Sequence, residues 1–423
     1  MQEKYYEKLD QKIYKEKLDN GLEVVIVPMN TNNKFVIWGA NVGSVDNKFI
    51  APGENDITVL PDGIAHYLEH KLFEQESGRN SLDTLTALGV DANAYTSNDH
   101  TAFLFGCTDN YEEALDEFMD YVQHPYFTEE NIEKERGIIG QEIMMYDDEP
   151  EWAVYINAMK IMYHANEIRI DEAGTIETIK EIDKEKLYKL YNSFYTPDNM
   201  YMVLAGNFNP EEAILDVKKR MVMPKHEGEL KRIYNKEPKE IVQKQIEKSM
   251  DISMPIVFIG YKDNDRSGNA IFKDIAVDMV GDIYFGLGSD FYREMYESGK
   301  IPSVPGVTYE FGKTYGHVMI QIKTPFPEEV ISKIQETIEK AKAEEIPDED
   351  FIRYKRKMYG EFIRAFDNPD AVATEILSDY FKNVDIFDYL DAFEKITKKD
   401  VENILKEVFN EEYRVVSIIN TNE

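Results

Sequence analysis

Apolar residues are spaced along this chain with two different periods. Leu22 to Val27, closed by Pro28, and Phe35 to Val42, ending in Gly43-Ser44, are β-branched and aromatic runs between turn residues, and each predicts a strand. A Gly-, Pro- and Asn-rich loop from Asp46 to Asp62 follows, and from Ile64 to Phe73 the spacing becomes helical. Asn80 to Leu88 predicts a second helix, Gly89 to Tyr95 and Thr101 to Phe105 a pair of strands, and Asn110 to Gln123 a third helix. Thr128-Glu129-Glu130 opens a longer helix through Tyr146. On it Ile138, Ile139 and Ile143 are expected to face a core, with Met144 and Met145 also read as core.

The pattern recurs. Val36-Ile37-Trp38-Gly39 answers to Val257-Phe258-Ile259-Gly260, and Glu76-Ser77-Gly78 to Glu297-Ser298-Gly299, both 221 residues on. Ile132 to Asp147 answers to Ile352 to Asp367 at 220, and His100 to His317 at 217. Four matches in order at nearly constant offset predict two halves with one fold. The expected class is α+β: two homologous domains, each a mostly antiparallel sheet with helices packed on one face. The expected boundaries are residues 1–225 and 246–423, with the charged stretch 226–245 as linker.

Composition narrows the partners. A net charge of −33 over 423 residues disfavours nucleic acid and anionic membranes and makes a basic peptide the natural guest. The single cysteine, Cys107, excludes an internal disulfide framework, and its flanks predict a buried strand-end thiol. The first residues carry no apolar signal-like core and no stretch approaches the ~20 apolar residues of a membrane span, so a cytoplasmic location is expected.

The chemistry is concentrated in His66-Tyr67-Leu68-Glu69-His70. On a helix, positions 66, 69 and 70 share one face, which offers two imidazoles for a metal and a carboxylate beside them. Neutral imidazole suits zinc, and a catalytic zinc site keeps one position open. A bare histidine pair at this spacing is more often structural, so a third ligand has to come from elsewhere. The repeat supports function. At the same offsets His66, Glu69 and His70 face Leu287, Asp290 and Phe291, and Glu142 faces Phe362, so one half keeps the frame and loses the chemistry.

With Glu135-Arg136-Gly137-Ile138-Ile139 and Glu142 downstream, H-x-x-E-H resembles the pitrilysin (M16, inverted zincin) family of metallopeptidases, and most closely its short two-domain bacterial members. Asn93-Ala94-Tyr95-Thr96, Ala173-Gly174-Thr175-Ile176-Glu177 and Phe194-Tyr195-Thr196-Pro197-Asp198-Asn199-Met200 extend the likeness over most of the chain. The resemblance implies a zinc endopeptidase. It makes His66, His70 and Glu142 the zinc ligands, Glu69 the general base and Glu135 an orienting carboxylate. Asn93 and Ala94 then lie on the edge strand to which a substrate adds as an extra strand.

One part of the family pattern is missing. Active members carry an Arg and, seven residues later, a Tyr in the second half, but in Phe291 to Ser303 the arginine's place holds Tyr296 and the tyrosine's place Pro302 or Ser303. The resemblance therefore implies a heterodimer, with an inactive homologous partner supplying Arg and Tyr and both chains enclosing a chamber. Two other readings are a peptidase maturing one specific peptide and a non-catalytic assembly subunit. Among the remaining histidines, His100 is expected to pack between strands, His124 to end a helix, and His164 with Arg169 to lie on a loop near the cleft.

Overall fold

The computed structural model describes residues 1–265 and 269–422. The chain divides into two compact units, and neither is a single stretch of sequence: the first holds 1–143, 171–234 and 362–386, the second 144–170, 235–361 and 387–423.

The main sheet of the first unit has seven strands in the order Gln2–Tyr6, Gln11–Lys17, Glu23–Pro28, Met200–Gly206, Lys34–Ala40, Thr101–Cys107 and Asp91–Thr96. Glu23–Pro28 and Met200–Gly206 run parallel; the other neighbours are antiparallel. The second unit has five strands in the order Gln245–Met250, Arg414–Thr421, Ile256–Lys262, Gly316–Lys323 and Gly306–Phe311. Its first pair is likewise parallel and the rest antiparallel. Five strands of one sheet thus repeat the connectivity of the other, and the class is α+β with two homologous domains.

Register fixes the equivalence residue by residue. Gly39 lies opposite Ala102 and Tyr201, and Gly260, 221 positions on, lies opposite Met319 and Val415. Ala102 and Met319 differ by 217, the offset that relates His100 to His317.

Alternation along the central strand sorts its side chains. Val36, Trp38 and Ala40 enter the large apolar core with Tyr67, Leu68, Phe103, Phe118 and Phe194. The opposite face at Gly39 is covered by a helix from late in the chain, Pro369–Phe381: a Cβ on Gly39 would lie 2.7 Å from Phe381 and 3.0 Å from Leu377. In the second unit the counterpart is Pro150–Met162, and a Cβ on Gly260 would lie 2.3 Å from Met162. Each of these helices begins with proline at its first turn, where the missing N–H costs nothing and the preceding helix cannot run on. Each also packs in the unit opposite to its half of the sequence.

Residues 231 and 232 pair with Lys48–Ile50, and Arg232 and Tyr234 both reach the buried Asp46, at 3.1 and 2.8 Å. A few residues on, Glu237 accepts hydrogen bonds from the backbone N–H groups of His164, Ala165 and Asn166 and pairs with the buried Lys262 at 2.6 Å.

The long helix Glu129–Asp147 departs from expectation on one side. Ile139 and Ile143 are buried as read from sequence, but Ile138, Met144 and Met145 are 46, 54 and 60% exposed. The reason is geometric: the buried face runs through Ile132, Glu135, Ile139 and Ile143, and residues one step from it turn about 100° away. Apolar identity on both sides hides which side is covered.

Candidate active site

The motif helix spans Ile64–Leu72. Gly63 precedes it at φ 88°, and a Cβ there would lie 2.3 Å from the carbonyl oxygen of Ala173, so only glycine admits this approach. From Gly63 to Phe73 every residue is buried except His66 and His70. The helix is sealed into the core, with its two imidazoles left at the opening. Tyr67 ties it to the helix Glu129–Asp147 by donating to the carbonyl of Ile132. Arg136 donates to the carbonyls of Ile179 and Ile182, at 3.2 and 2.8 Å, which accounts for the arginine in the Glu-Arg pair.

Glu142, on that second helix, comes to the histidines. Its two oxygens lie 3.7 Å from His66 Nε2 and 3.5 Å from His70 Nε2, and the imidazole centroids are 4.6 Å apart. These separations are too long for hydrogen bonds. They are close to the ~3.4 Å edge of a tetrahedron with ~2.1 Å metal–ligand distances. Ligand atoms of the three side chains all lie within 4.8 Å of one another, and among the described residues this is the group of that kind that could hold a metal ion. Two imidazoles and one carboxylate suit zinc and leave a fourth position open.

At His66 the electrostatics agree with a metal-donor role. Burial, aided by the neighbouring His70, pushes His66 down to about 3, so its ring is neutral and a lone pair is available. For His70 burial acts downward, but its hydrogen bond to Glu135 and the charges of Glu69, Glu135 and Glu142 carry it above the ordinary value. Burial raises Glu142 as well. Glu135 Oε1 lies 3.0 Å from His70 Nδ1, which fixes Nδ1 as the protonated nitrogen and turns Nε2 toward Glu142.

Glu69 is 6% exposed, and burial raises it to about 7 against the opposing hydrogen bond from Thr96. A carboxyl poised there can exchange a proton near neutral pH. Asn93 and Ala94 lie on Asp91–Thr96, the edge strand of the seven-stranded sheet. Ala94 N–H is bonded by the side chain of Asn93, 2.9 Å away, and not by a neighbouring strand.

Two contributors carry no role in the sequence reading. Thr96 donates to Glu69 Oε2 at 2.8 Å, and Lys71, fully buried, pairs with Glu74 at 2.5 Å and approaches Glu135 at 3.9 Å. Thr96 ends the Asn93-Ala94-Tyr95-Thr96 run, and a lysine within the otherwise apolar end of the motif helix is the sequence signal for Lys71. His100 packs, as expected, between Tyr95, Ser97 and Phe381. His124 caps the helix Tyr111–Gln123. His164 is exposed, on the loop held by Glu237. Cys107 is a buried free thiol at a strand end.

Fold and site together define a metallopeptidase-like protein built on an inverted zincin helix. The family model described as insulinase (peptidase family M16) matches residues 59–175, and that of the peptidase M16 inactive domain matches 181–358. The chain is 36% identical over 408 residues, 95% of each chain, to a Bacillus subtilis (strain 168) protein called uncharacterized zinc protease YmfH. Its structure is similar to that of an M16-like peptidase from Alicyclobacillus acidocaldarius, with a TM-score of 0.92 and 28% identity over 97% of this chain and 99% of that one. A Helicobacter pylori protease shares the fold, with a TM-score of 0.84 and 21% identity over 97% and 99%. The chain belongs to peptidase family M16.

Proposed function

We propose that the protein is a zinc-dependent endopeptidase acting on peptides or small unfolded polypeptides, and that it works as the zinc-bearing subunit of a heterodimer whose chains enclose a chamber. The observation that carries this reading is the convergence of His66, His70 and Glu142 around one point, with Glu69 buried beside it. His66 and His70 would hold zinc through their imidazoles and Glu142 through its carboxylate. When bound there, zinc supplies the Lewis acidity that makes water a nucleophile near neutral pH.

The protein's own groups do the rest. Glu69 accepts the proton that the attacking water gives up and returns it to the departing amine. Glu135 keeps His70 in the Nδ1–H tautomer. The open edge of Asp91–Thr96, with Asn93 and Ala94, aligns an extended substrate through its backbone, so substrate side chains can vary. Basic substrates are favoured by the net charge of −33. The family's Arg and Tyr, whose places in this chain hold Tyr296 and Pro302 or Ser303, come from a homologous partner chain. Among the described residues no helix is long and apolar enough to cross a membrane. A purely structural assembly subunit has no use for a carboxyl buried beside a His, His, Glu set.

The test combines zinc analysis with cleavage of quenched fluorescent peptides, for the chain alone and mixed with its co-purifying partner. About one zinc per chain, lost in His70→Ala, is expected, with activity rising on mixing. A chain that holds no zinc, or that cleaves no peptide with its partner present, contradicts the reading.

A further inference from the structure

Among the described residues, Thr96 Oγ1 is the one hydrogen-bond donor to Glu69, at 2.8 Å from Oε2. Behind the carboxylate stand the buried rings of Tyr121 and Tyr195, packed about Phe103. Both hydroxyls are pushed well above their ordinary values, by burial first and by the charge of Glu69 second. Thr96 is itself held. It is the last residue of Asp91–Thr96, opposite Thr101, whose Oγ1 lies 3.3 Å away and donates to the carbonyl of Val42 at 2.9 Å.

The ladder adds a second property. Ser97 N–H donates to the carbonyl of His100 at 2.8 Å, which makes residues 97 and 100 a hydrogen-bonded pair. In an antiparallel ladder such pairs alternate, so Tyr95 and Asn93 bond inward while the backbone groups of Thr96, Ala94 and Ala92 face the open edge. The bond from Ala94 N–H to its neighbour's side chain obeys the same phase. Thr96 therefore presents backbone to the edge and side chain to Glu69.

We propose that Thr96 is a positioning residue for the general base: seated at the end of the edge strand Asp91–Thr96 and braced by Thr101, it holds Glu69 through its hydroxyl in the orientation that takes the proton. The proposal rests on the endopeptidase reading above. It requires a hydroxyl at position 96, not merely a β-branched side chain, because valine preserves shape and strand preference while removing the donor.

Thr96→Val and Thr96→Ser are compared with wild type in the zinc-loaded, partner-bound enzyme. The valine variant should keep its zinc and melting temperature, lose roughly tenfold to a hundredfold in kcat, as expected for a hydrogen bond to a charged group, and change KM less than about twofold; serine should restore kcat. Crystal structures of wild type and Thr96→Val without substrate give a readout independent of turnover, with Glu69 in one rotamer in wild type and spread over several in the variant. Wild-type kcat in Thr96→Val, failure of serine to rescue, or an unmoved Glu69 overturns the proposal. A wild type that cleaves nothing defeats the endopeptidase reading instead, and the Glu69 rotamers still decide the role of Thr96.

Discussion

Burial acts on His66 and Glu69 in opposite chemical directions, because it disfavours whichever form is charged: the imidazole is driven to about 3 and the carboxyl up to about 7. One enclosed helix thereby holds a neutral imidazole and a carboxyl that titrates near neutral pH three residues apart. Glu135 adds a fixed tautomer at His70. Replacing Glu135 with Gln keeps an acceptor for Nδ1–H but removes the charge, and zinc affinity should fall about tenfold to a hundredfold in competition with a chelator; an unchanged affinity would mean that Glu135 does not act through His70. Spacing put the two histidines and Glu69 on one helix face as candidates, and the resemblance gave them their roles. Glu142, 72 residues away, was not legible from spacing: a glutamate on an amphipathic helix is ordinarily solvated, and only the family resemblance singled it out. The Thr96 hydroxyl escaped because cross-element hydrogen bonds leave no period in a sequence.

Elements show the same division between local and non-local information. Between Leu22 and Tyr146 the main strands and helices were readable from alternation and turn residues, with ends shifted by a residue or two, as at Lys34–Ala40 and Tyr111–Gln123, whereas the strands Gln2–Tyr6 and Gln11–Lys17, interrupted by Lys and Glu, were not. The helices over Gly39 and Gly260, Pro369–Phe381 and Pro150–Met162, were not read from the sequence, and neither was their packing on those glycines, since an offset records duplication and not packing. Gly39→Val or Gly260→Val drives a side chain into Phe381 or Met162. Overpacking of this kind costs about 1–3 kcal/mol, so thermal unfolding should show a melting temperature lower by several degrees, at roughly 2–4 °C per kcal/mol for units of this size. No loss would mean that the helices do not press on the sheets at these points.

Glu237 offers a test of how residues 235–240 are fastened. Burial works to raise it, but Lys262 and the amides of His164 and Ala165 hold it below its ordinary 4.5. A carboxyl with a depressed folded-state pKa contributes stability above the unfolded value and loses it as pH falls through the folded one. Glu237→Gln should therefore lower the melting temperature at pH 7, and the gap to wild type should narrow below about pH 4.5. A gap independent of pH would assign the loss to packing.

At the scale of the whole molecule, the group that could hold a metal ion among the described residues, His66, His70 and Glu142, lies in one of the two units. His317, the counterpart of His100, is fully buried with Tyr163 at 3.0 Å, which suits packing and no reaction. The strong negative charge belongs to this scale too: if it steers substrates, cleavage of basic peptides should slow with added salt more than cleavage of neutral ones, because screening shortens the reach of the field. Equal salt dependence would remove charge from the account of specificity.

The central claim is that zinc at His66, His70 and Glu142 and a proton carrier at Glu69 form one active site. It is tested most directly by measuring zinc content and quenched-peptide cleavage side by side for wild type and Glu69→Gln, each with the co-purified partner. The account predicts about one zinc per chain in both proteins and cleavage by wild type alone, abolished by a chelator and restored by zinc. Cleavage by Glu69→Gln at the wild-type rate, or wild-type activity that persists without zinc, would contradict it.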